Sequence, residues 1–249
     1  MLKGLVTALR TLTVLPVPGK DAVHFSSSFY WFPLVGFLIG ALQSGAGYLV
    51  MAAGWPEFGA ASVLFAGVVL TRGIHADGFA DLADGFFGGK TVESRLRIMK
   101  DPAVGSFGAI ALVLLFLFKW VVLVKMLSLE LYAWIVSGIV LARLAQVMLA
   151  SFLPYARSDG GTAAGFVEGA GSRHIGAAFF LSVIILLFLM NMALLPLGAA
   201  LFAAGIGAVL TAMLSLKMIK GVTGDVLGAS SEITEVLVWT SGVLFAVLS

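Results

Sequence analysis

The residues best suited to chemistry lie in one short acidic segment, which runs from His75 to Gly85. Its aspartates, Asp77, Asp81 and Asp84, are spaced i, i+4 and i+7, so they share one face if the segment is helical. Three carboxylates on one face repel each other unless a cation lies among them. Hard divalent cations prefer oxygen ligands, and Mg²⁺ commonly adds water and substrate phosphate oxygens. The spacing therefore predicts that these three aspartates bind Mg²⁺, with Mn²⁺ as the alternative.

A basic segment follows and predicts a phosphate site. It contains Arg95, Arg97 and Lys100, and Asp101 beside the lysine suggests a positioned ion pair. Cationic side chains next to a metal-binding acidic face suit a diphosphate, because the metal and the cations share its negative charge. Ser106 begins the next apolar stretch, where free N–H groups at a helix start favour anions. Membrane topology alone is an alternative explanation for the two arginines.

Two further polar segments add candidates. Arg157 lies in the segment 154–162, and Thr223 and Asp225 lie in the glycine-rich segment 221–229. Asp225 suits a further metal ligand or a general base for a substrate hydroxyl, while a turn or helix-capping role remains the alternative. The candidates for the catalytic base are His75, Asp84 and Asp225.

The rest of the chain belongs to a membrane protein. Of its 249 residues 60% are hydrophobic and 11% charged, against about 25% charged in soluble domains. The chain has no cysteine, which excludes disulfides and thiolate metal sites. These values predict an all-α, polytopic transmembrane bundle of about seven spans. The expected spans are Phe29–Ala53, Phe58–Thr71, Phe107–Leu127, Leu131–Phe152, Ile175–Ala193, Leu195–Leu214 and Val236–Leu248.

The distribution of basic residues predicts the orientation. Twelve of the 15 lysines and arginines fall in the polar segments 1–28, 72–106, 153–174 and 215–235. The positive-inside rule therefore places the N-terminus and the polar, catalytic loops on the cytoplasmic face. We expect a single integral-membrane transferase domain over 1–249, with 1–28 at the membrane interface and 72–106 as the metal and diphosphate loop.

Arg143 lies in the middle of the fourth expected span. A charge at that depth is costly, so Arg143 is predicted to face the bundle interior and to contact substrate phosphate. The expected spans hold almost no acidic residue, which argues against a cation-coupled transporter. A membrane transferase that uses a nucleotide-diphosphate donor and a lipid alcohol remains a second alternative.

Several motifs together resemble the cobalamin synthase family, the adenosylcobinamide-GDP ribazoletransferases. They extend over nearly the whole chain in the family's order. These motifs are Leu9–Pro18, Phe32–Gly36, His75–Gly85, Met99–Pro102, Gly105–Gly108, Pro154–Arg157 and Gly221–Ala229. The Asp-rich architecture is also analogous to that of CDP-alcohol phosphotransferases, whose arginine-containing motif is not reproduced here.

The resemblance implies a specific reaction. A ribose hydroxyl of α-ribazole, or of its 5′-phosphate, would attack the corrinoid-linked phosphorus of adenosylcobinamide-GDP, and GMP would leave. The product would be adenosylcobalamin or its 5′-phosphate, the last assembly step of the nucleotide loop. The family requires Mg²⁺ and resides in the prokaryotic cytoplasmic (inner) membrane. The implied partners are these two substrates and the lipid bilayer, without nucleic acid, and a homo-oligomer or an association with other cobalamin-pathway proteins is the remaining expectation.

Overall fold

The computed structural model describes residues 2–248, and nearly all of them are helical. The segment Phe25–Trp31 is a 3₁₀ helix that continues into α2. The α-helices of the described part are α1 Leu2–Leu12, α2 Phe32–Met51, α3 Pro56–Thr71, α4 Ile74–Gly88, α5 Val92–Ile98, α6 Ser106–Ser128, α7 Tyr132–Phe152, α8 Ala164–Val167, α9 Ser172–Leu189, α10 Leu194–Ile219 and α11 Gly224–Leu248. The all-α class predicted from the sequence is confirmed.

Six helical segments are long and apolar enough to cross a membrane. They are Phe25–Met51, Ser106–Ser128, Tyr132–Phe152, Ser172–Leu189, Leu194–Ile219 and Gly224–Leu248. A seventh crossing follows if α3 and α4 are counted as one broken span. The predicted count of about seven is thus confirmed.

Helix α7 is the centre of the bundle and is buried along most of its length. It packs against α2, α9, α10 and α11. Close packing against α2 depends on glycine: a Cβ on Gly36 would lie 3.0 Å from the Ile139 carbonyl oxygen, and one on Gly40 would lie 3.0 Å from the Val136 Cα. Small residues let two helix backbones approach closely, which is how helices associate in a lipid environment.

A sharp bend separates α3 from α4. Arg72 and Gly73 both have left-handed backbone conformations, with φ values of 57° and 66°, and the two helix axes differ by 89°. Helix α4 then packs against the first turns of α6 and α11: Asp84 bonds to Gly105, and Gly78 lies against Asp225. Because both partners are helix starts at one end of the bundle, α4 lies across that end. We call it the polar end.

One predicted boundary is wrong. The last span was expected to begin at Val236, with 215–235 as a polar loop, but α10 continues to Ile219 and α11 begins at Gly224. The first half of α11 carries Asp225, Glu232 and Glu235, and these charges concealed the helix from a hydropathy count. The loop between the two helices is only four residues long.

Candidate active site

The acidic face of α4 meets the first turn of α11. A Cβ on Gly78 would lie 2.8 Å from the backbone oxygen of Asp225, so the two helices touch at a position where only glycine fits. This contact brings Asp77 and Asp81 of α4 beside Asp225 of α11. Burial, and then the negative charges of Asp225 and Asp77, raise the pKa of Asp81 to about 7. The carboxylates therefore repel each other, as the i, i+4 spacing predicted.

Asp84 has a different position from its neighbours. Its Oδ2 accepts the backbone N–H of Gly105 and its Oδ1 accepts that of Gly108, both at 2.8 Å. Asp84 is 7% exposed, and its two hydrogen bonds anchor the start of α6 to α4. These bonds give Asp84 a structural role as a helix anchor, and they occupy the N–H groups of Gly105 and Gly108 on either side of Ser106. The predicted metal role of Asp84 and the phosphate role of Ser106 stay predictions.

Asp225 is held by side chains from two loops of the polar end. Its Oδ2 accepts from Arg157 Nη2 at 2.8 Å and from the Thr223 hydroxyl at 3.2 Å. An isolated β-bridge between Tyr155 and Val222 ties the two loops together, so Arg157 and Asp225 are held side by side. Within residues 2–248 its other oxygen, Oδ1, accepts no hydrogen bond, so it is available to a substrate.

A closed metal site does not exist in the described part of the chain. No three histidine, aspartate or glutamate side chains of residues 2–248 converge as a complete ligand set. This arrangement still fits Mg²⁺, which usually binds one or two carboxylates and completes its shell with water and phosphate oxygens. Asp77 and Asp81 supply the oxygen donors, and their unneutralised charge favours a divalent cation.

A basic groove of about 300 Å³ lies next to this face. Arg97, Lys100 and Arg157 line it, in agreement with the predicted cationic cluster. Lys100 pairs with Asp159 across the groove instead of with the adjacent Asp101, so the predicted Lys100–Asp101 pair is wrong. The hydrogen bond from Lys100 lowers the pKa of the exposed Asp159 carboxyl below its usual value.

Two predicted phosphate ligands have structural contacts. Asp101 Oδ1 accepts the Ala103 N–H at 3.0 Å and stabilises the turn before α6. Arg95 Nη1 donates to the Met218 carbonyl oxygen at 3.0 Å and joins α5 to the end of α10. Both residues therefore shape the polar end, whereas Arg97 and Lys100 are exposed beside the groove.

A second charged cluster lies inside the bundle, and sequence reasoning missed most of it. Lys119 donates to Glu232 and, at 2.7 Å, to Glu235, and the lysine side chain is only 5% exposed. Arg143 is 2% exposed and bonds to the Ser231 hydroxyl. The predicted inward direction of Arg143 is confirmed, but it does not join the cations of the basic groove. Acidic residues at i and i+3, together with a mid-span lysine, were the signal available in the sequence.

The interior cluster changes the argument about transport. The expected near-absence of acidic residues from the spans is wrong, because Glu232 and Glu235 both lie in α11. Both glutamates, however, bind the ammonium group of Lys119, and the Arg143 charge acts on Glu235. The cluster carries equal numbers of positive and negative charges, so it leaves no net negative charge to bind a transported cation.

A cavity of about 500 Å³ adjoins the site and shares no lining residue with the basic groove. Phenylalanines from the 3₁₀ helix, α2 and α8 line one wall, and His75, Asp77 and Asp225 line part of the other. His75 is 4% exposed, and burial holds the pKa of its ring well below the ordinary value. Phe166 lies more than 130 residues after Phe25, Phe29 and Phe32, so no single sequence motif pointed to this cavity.

Comparisons with known proteins agree with the resemblance. The family model of cobalamin-5-phosphate synthase matches residues 4–243. An adenosylcobinamide-GDP ribazoletransferase of Chlorobium phaeobacteroides (strain BS1) is 68% identical over all of both chains. A protein of the same name from Prosthecochloris aestuarii is 63% identical over 98% of each chain. Another, from Syntrophobacter fumaroxidans, is 35% identical over 93% of this chain and 94% of the relative. No solved structure matches the chain. With a family model that spans almost every helix and relatives that align from end to end, this chain belongs to the cobalamin-5-phosphate synthase family.

Proposed function

We propose that this protein joins adenosylcobinamide-GDP to α-ribazole, or to its 5′-phosphate, with release of GMP. The full-length relatives carry the name of this activity. The observation that carries the proposal is the meeting of an under-neutralised acidic face, Asp77 and Asp81, with the Arg157–Asp225 pair at one end of the bundle. Phosphoryl transfer needs charge neutralisation and positioning more than a covalent protein group.

The bond changes follow from the substrates. A ribose-ring hydroxyl, which α-ribazole and its 5′-phosphate both carry, forms a bond through its oxygen to the corrinoid-linked phosphorus, and the bond from that phosphorus to the bridging oxygen breaks. That oxygen leaves with GMP. The hydroxyl proton passes to a base, for which Asp225 is best placed: its Oδ1 accepts no bond within residues 2–248, and Arg157 and Thr223 fix its other oxygen.

Asp77 and Asp81 are the proposed Mg²⁺ ligands. The bound metal would supply charge neutralisation to the diphosphate of the donor substrate. Asp84 acts indirectly, because its bonds to Gly105 and Gly108 fix the rotation of α4 against α6. Arg97, Lys100 and Arg157 would hold the phosphate oxygens in the basic groove.

The polar end would face the cytoplasm of a prokaryotic cell, with the bundle in the inner membrane. Supporting this orientation, the basic residues Arg72, Arg95, Lys100, Arg157 and Lys220 belong to the polar end or to the segments beside it, and the loop between α6 and α7 contains none. A water-soluble nucleotide substrate would then reach the site directly.

One assay tests the activity. Purified protein in lipid nanodiscs is given Mg²⁺, adenosylcobinamide-GDP and α-ribazole, and GMP is measured by chromatography. We expect stoichiometric GMP and a cobalamin product, and loss of both when EDTA chelates the metal. α-Ribazole 5′-phosphate and a polyprenyl alcohol serve as competing acceptors. Folded protein that releases no GMP with either ribazole would overturn the proposal, and turnover with the lipid alcohol alone would favour the lipid transferase.

A further inference from the structure

The aromatic cavity beside Asp225 suggests where the acceptor binds. We propose that it is the binding site for the aromatic base and ribose of the ribazole substrate, an inference that rests on the proposed function. The cavity of about 500 Å³ is within the usual range of small-molecule sites. A corrinoid ring with its amide side chains is much larger than a benzimidazole riboside, so the cavity suits the acceptor rather than the donor.

One wall of the cavity is built from aromatic rings. The Phe25 and Phe166 ring centroids are 5.2 Å apart, and those of Phe29 and Phe166 are 6.0 Å apart. Phe32 meets Phe29 edge to face, with centroids 4.9 Å apart. Flat apolar rings gain energy by stacking or edge-to-face contact on such a surface, in addition to the burial of their area. A benzimidazole is a flat aromatic ring system of this kind.

The opposite wall is polar and contains an unused hydrogen-bonding group. Gln146 is 3% exposed, and its amide nitrogen donates to the Leu227 carbonyl oxygen at 3.3 Å. Its amide oxygen has no partner within residues 2–248, although it is buried. A buried acceptor without a partner costs free energy unless a ligand satisfies it. A ribose hydroxyl is a suitable donor, and Thr162 on the same cavity wall can contribute a second contact.

The position of the cavity gives the two substrates separate sides. Asp225 lines the aromatic cavity, Arg157 lines the basic groove, and the two side chains are hydrogen-bonded to each other. A riboside with its base against the phenylalanines can direct a ribose hydroxyl towards Asp225. A diphosphate in the groove would reach the same pair through Arg157, so the reacting atoms meet at Arg157–Asp225.

Direct binding measurements test the cavity without requiring turnover. Protein in nanodiscs is titrated calorimetrically with α-ribazole and, separately, with the free base 5,6-dimethylbenzimidazole. Phe166→Leu removes the ring that contacts both Phe25 and Phe29, so Kd should rise by roughly tenfold for both ligands. Gln146→Leu has similar volume and removes the polar group, so Kd should rise roughly tenfold for the riboside and stay unchanged for the base.

A matched control uses an exposed aromatic pair outside the cavity. Phe87 and Phe107 have centroids 5.8 Å apart, on faces that do not line the cavity. Phe87→Leu should leave both Kd values unchanged. In steady-state kinetics Phe166→Leu should raise KM for α-ribazole and leave KM for adenosylcobinamide-GDP unaltered.

The outcomes separate the two proposals. If the wild-type protein releases GMP but Phe166→Leu and Gln146→Leu change neither Kd nor KM for α-ribazole, the cavity assignment is wrong and the proposed function stands. If the wild-type protein binds α-ribazole with the expected variant effects but forms no GMP, the cavity assignment stands and the proposed function fails. An unfolded Phe166→Leu would be recognised by size-exclusion chromatography, and Gln146→Leu then decides the assignment by its riboside-to-base ratio.

Discussion

Helix α11 carries two sets of carboxylates that are neutralised in different ways. Near its middle, Glu232 and Glu235 share the ammonium group of Lys119, and Arg143 lies close by. At its first turn, Asp225 joins the aspartates of α4, and Arg157 is the cation that bonds to this group. The interior cluster is balanced by the protein itself, whereas the aspartates where α4 meets α11 outnumber the one cation that bonds to them. Buried charges that are paired serve the fold, and charges left uncompensated at an accessible end are available to a ligand cation.

The sharpest test of this contrast removes one charge from the polar end. Asp81→Asn should lower turnover by roughly a thousandfold, because a proposed metal ligand is lost where charge neutralisation contributes most of the catalysis. GMP release at saturating Mg²⁺ is the measurement. The fold should remain intact by size-exclusion chromatography, since removal of one of several repelling carboxylates relieves strain. Glu57→Gln, at the opposite end of the bundle, is the matched control, and equal activity of the two variants would contradict the metal role.

The same experiment on the interior cluster should change stability. Lys119→Met leaves two buried glutamates without their cation, and loss of one partner from a buried pair typically costs about 3–5 kcal/mol. Thermal unfolding in detergent should show a lower midpoint. Adding Glu232→Gln to this variant should restore most of the loss, because the charges of Glu235 and Arg143 then balance each other. An unchanged midpoint for Lys119→Met alone would mean that the pairing contributes nothing to the fold.

An intermediate effect on turnover is expected from loss of Arg157, the cation that bonds to Asp225 at the polar end. Arg157→Gln frees Asp225 and removes one groove cation, so kcat/KM for the corrinoid diphosphate should fall by roughly 10- to 100-fold. Steady-state kinetics at several donor concentrations measures it. Arg173 is an exposed arginine near the same end, and Arg173→Gln should leave kcat/KM unchanged. If both arginines have equal effects, general positive charge rather than the Arg157–Asp225 contact is responsible.

The smallest effect is expected at the exposed rim of the groove. Lys100→Gln removes the hydrogen bond that lowers the pKa of Asp159, so this pKa should return towards its usual value. A lowered carboxyl pKa stabilises the fold above the unfolded pKa, and this contribution is lost as pH falls through the folded value. Because both side chains are exposed, midpoints of unfolding should hardly differ at neutral pH. Carboxyl NMR titration follows Asp159, and an unshifted pKa would contradict the pairing.

Much of the architecture was predictable because the length of each apolar segment can be counted directly from the sequence. The spans ending at Leu127 and Phe152 were placed within one residue of the observed helix ends. The acidic helix α4 was equally predictable, since i, i+4 and i+7 spacing has one geometric meaning. The start of α11 was missed because hydropathy treats Glu232 and Glu235 as loop residues, whereas Lys119 on another helix neutralises them.

The sequence by itself determined that the chain is a helical membrane protein with an acidic face beside a basic segment, because residue type and local spacing are sufficient for both. Only the tertiary structure decided which aspartates remain free, since Asp84 is used by N–H groups more than twenty residues away. It also decided that Arg143 stays inside the bundle and that four phenylalanines from three separate segments enclose one cavity. These positions depend on contacts between helices that are distant in sequence, and a local sequence pattern does not predict such contacts.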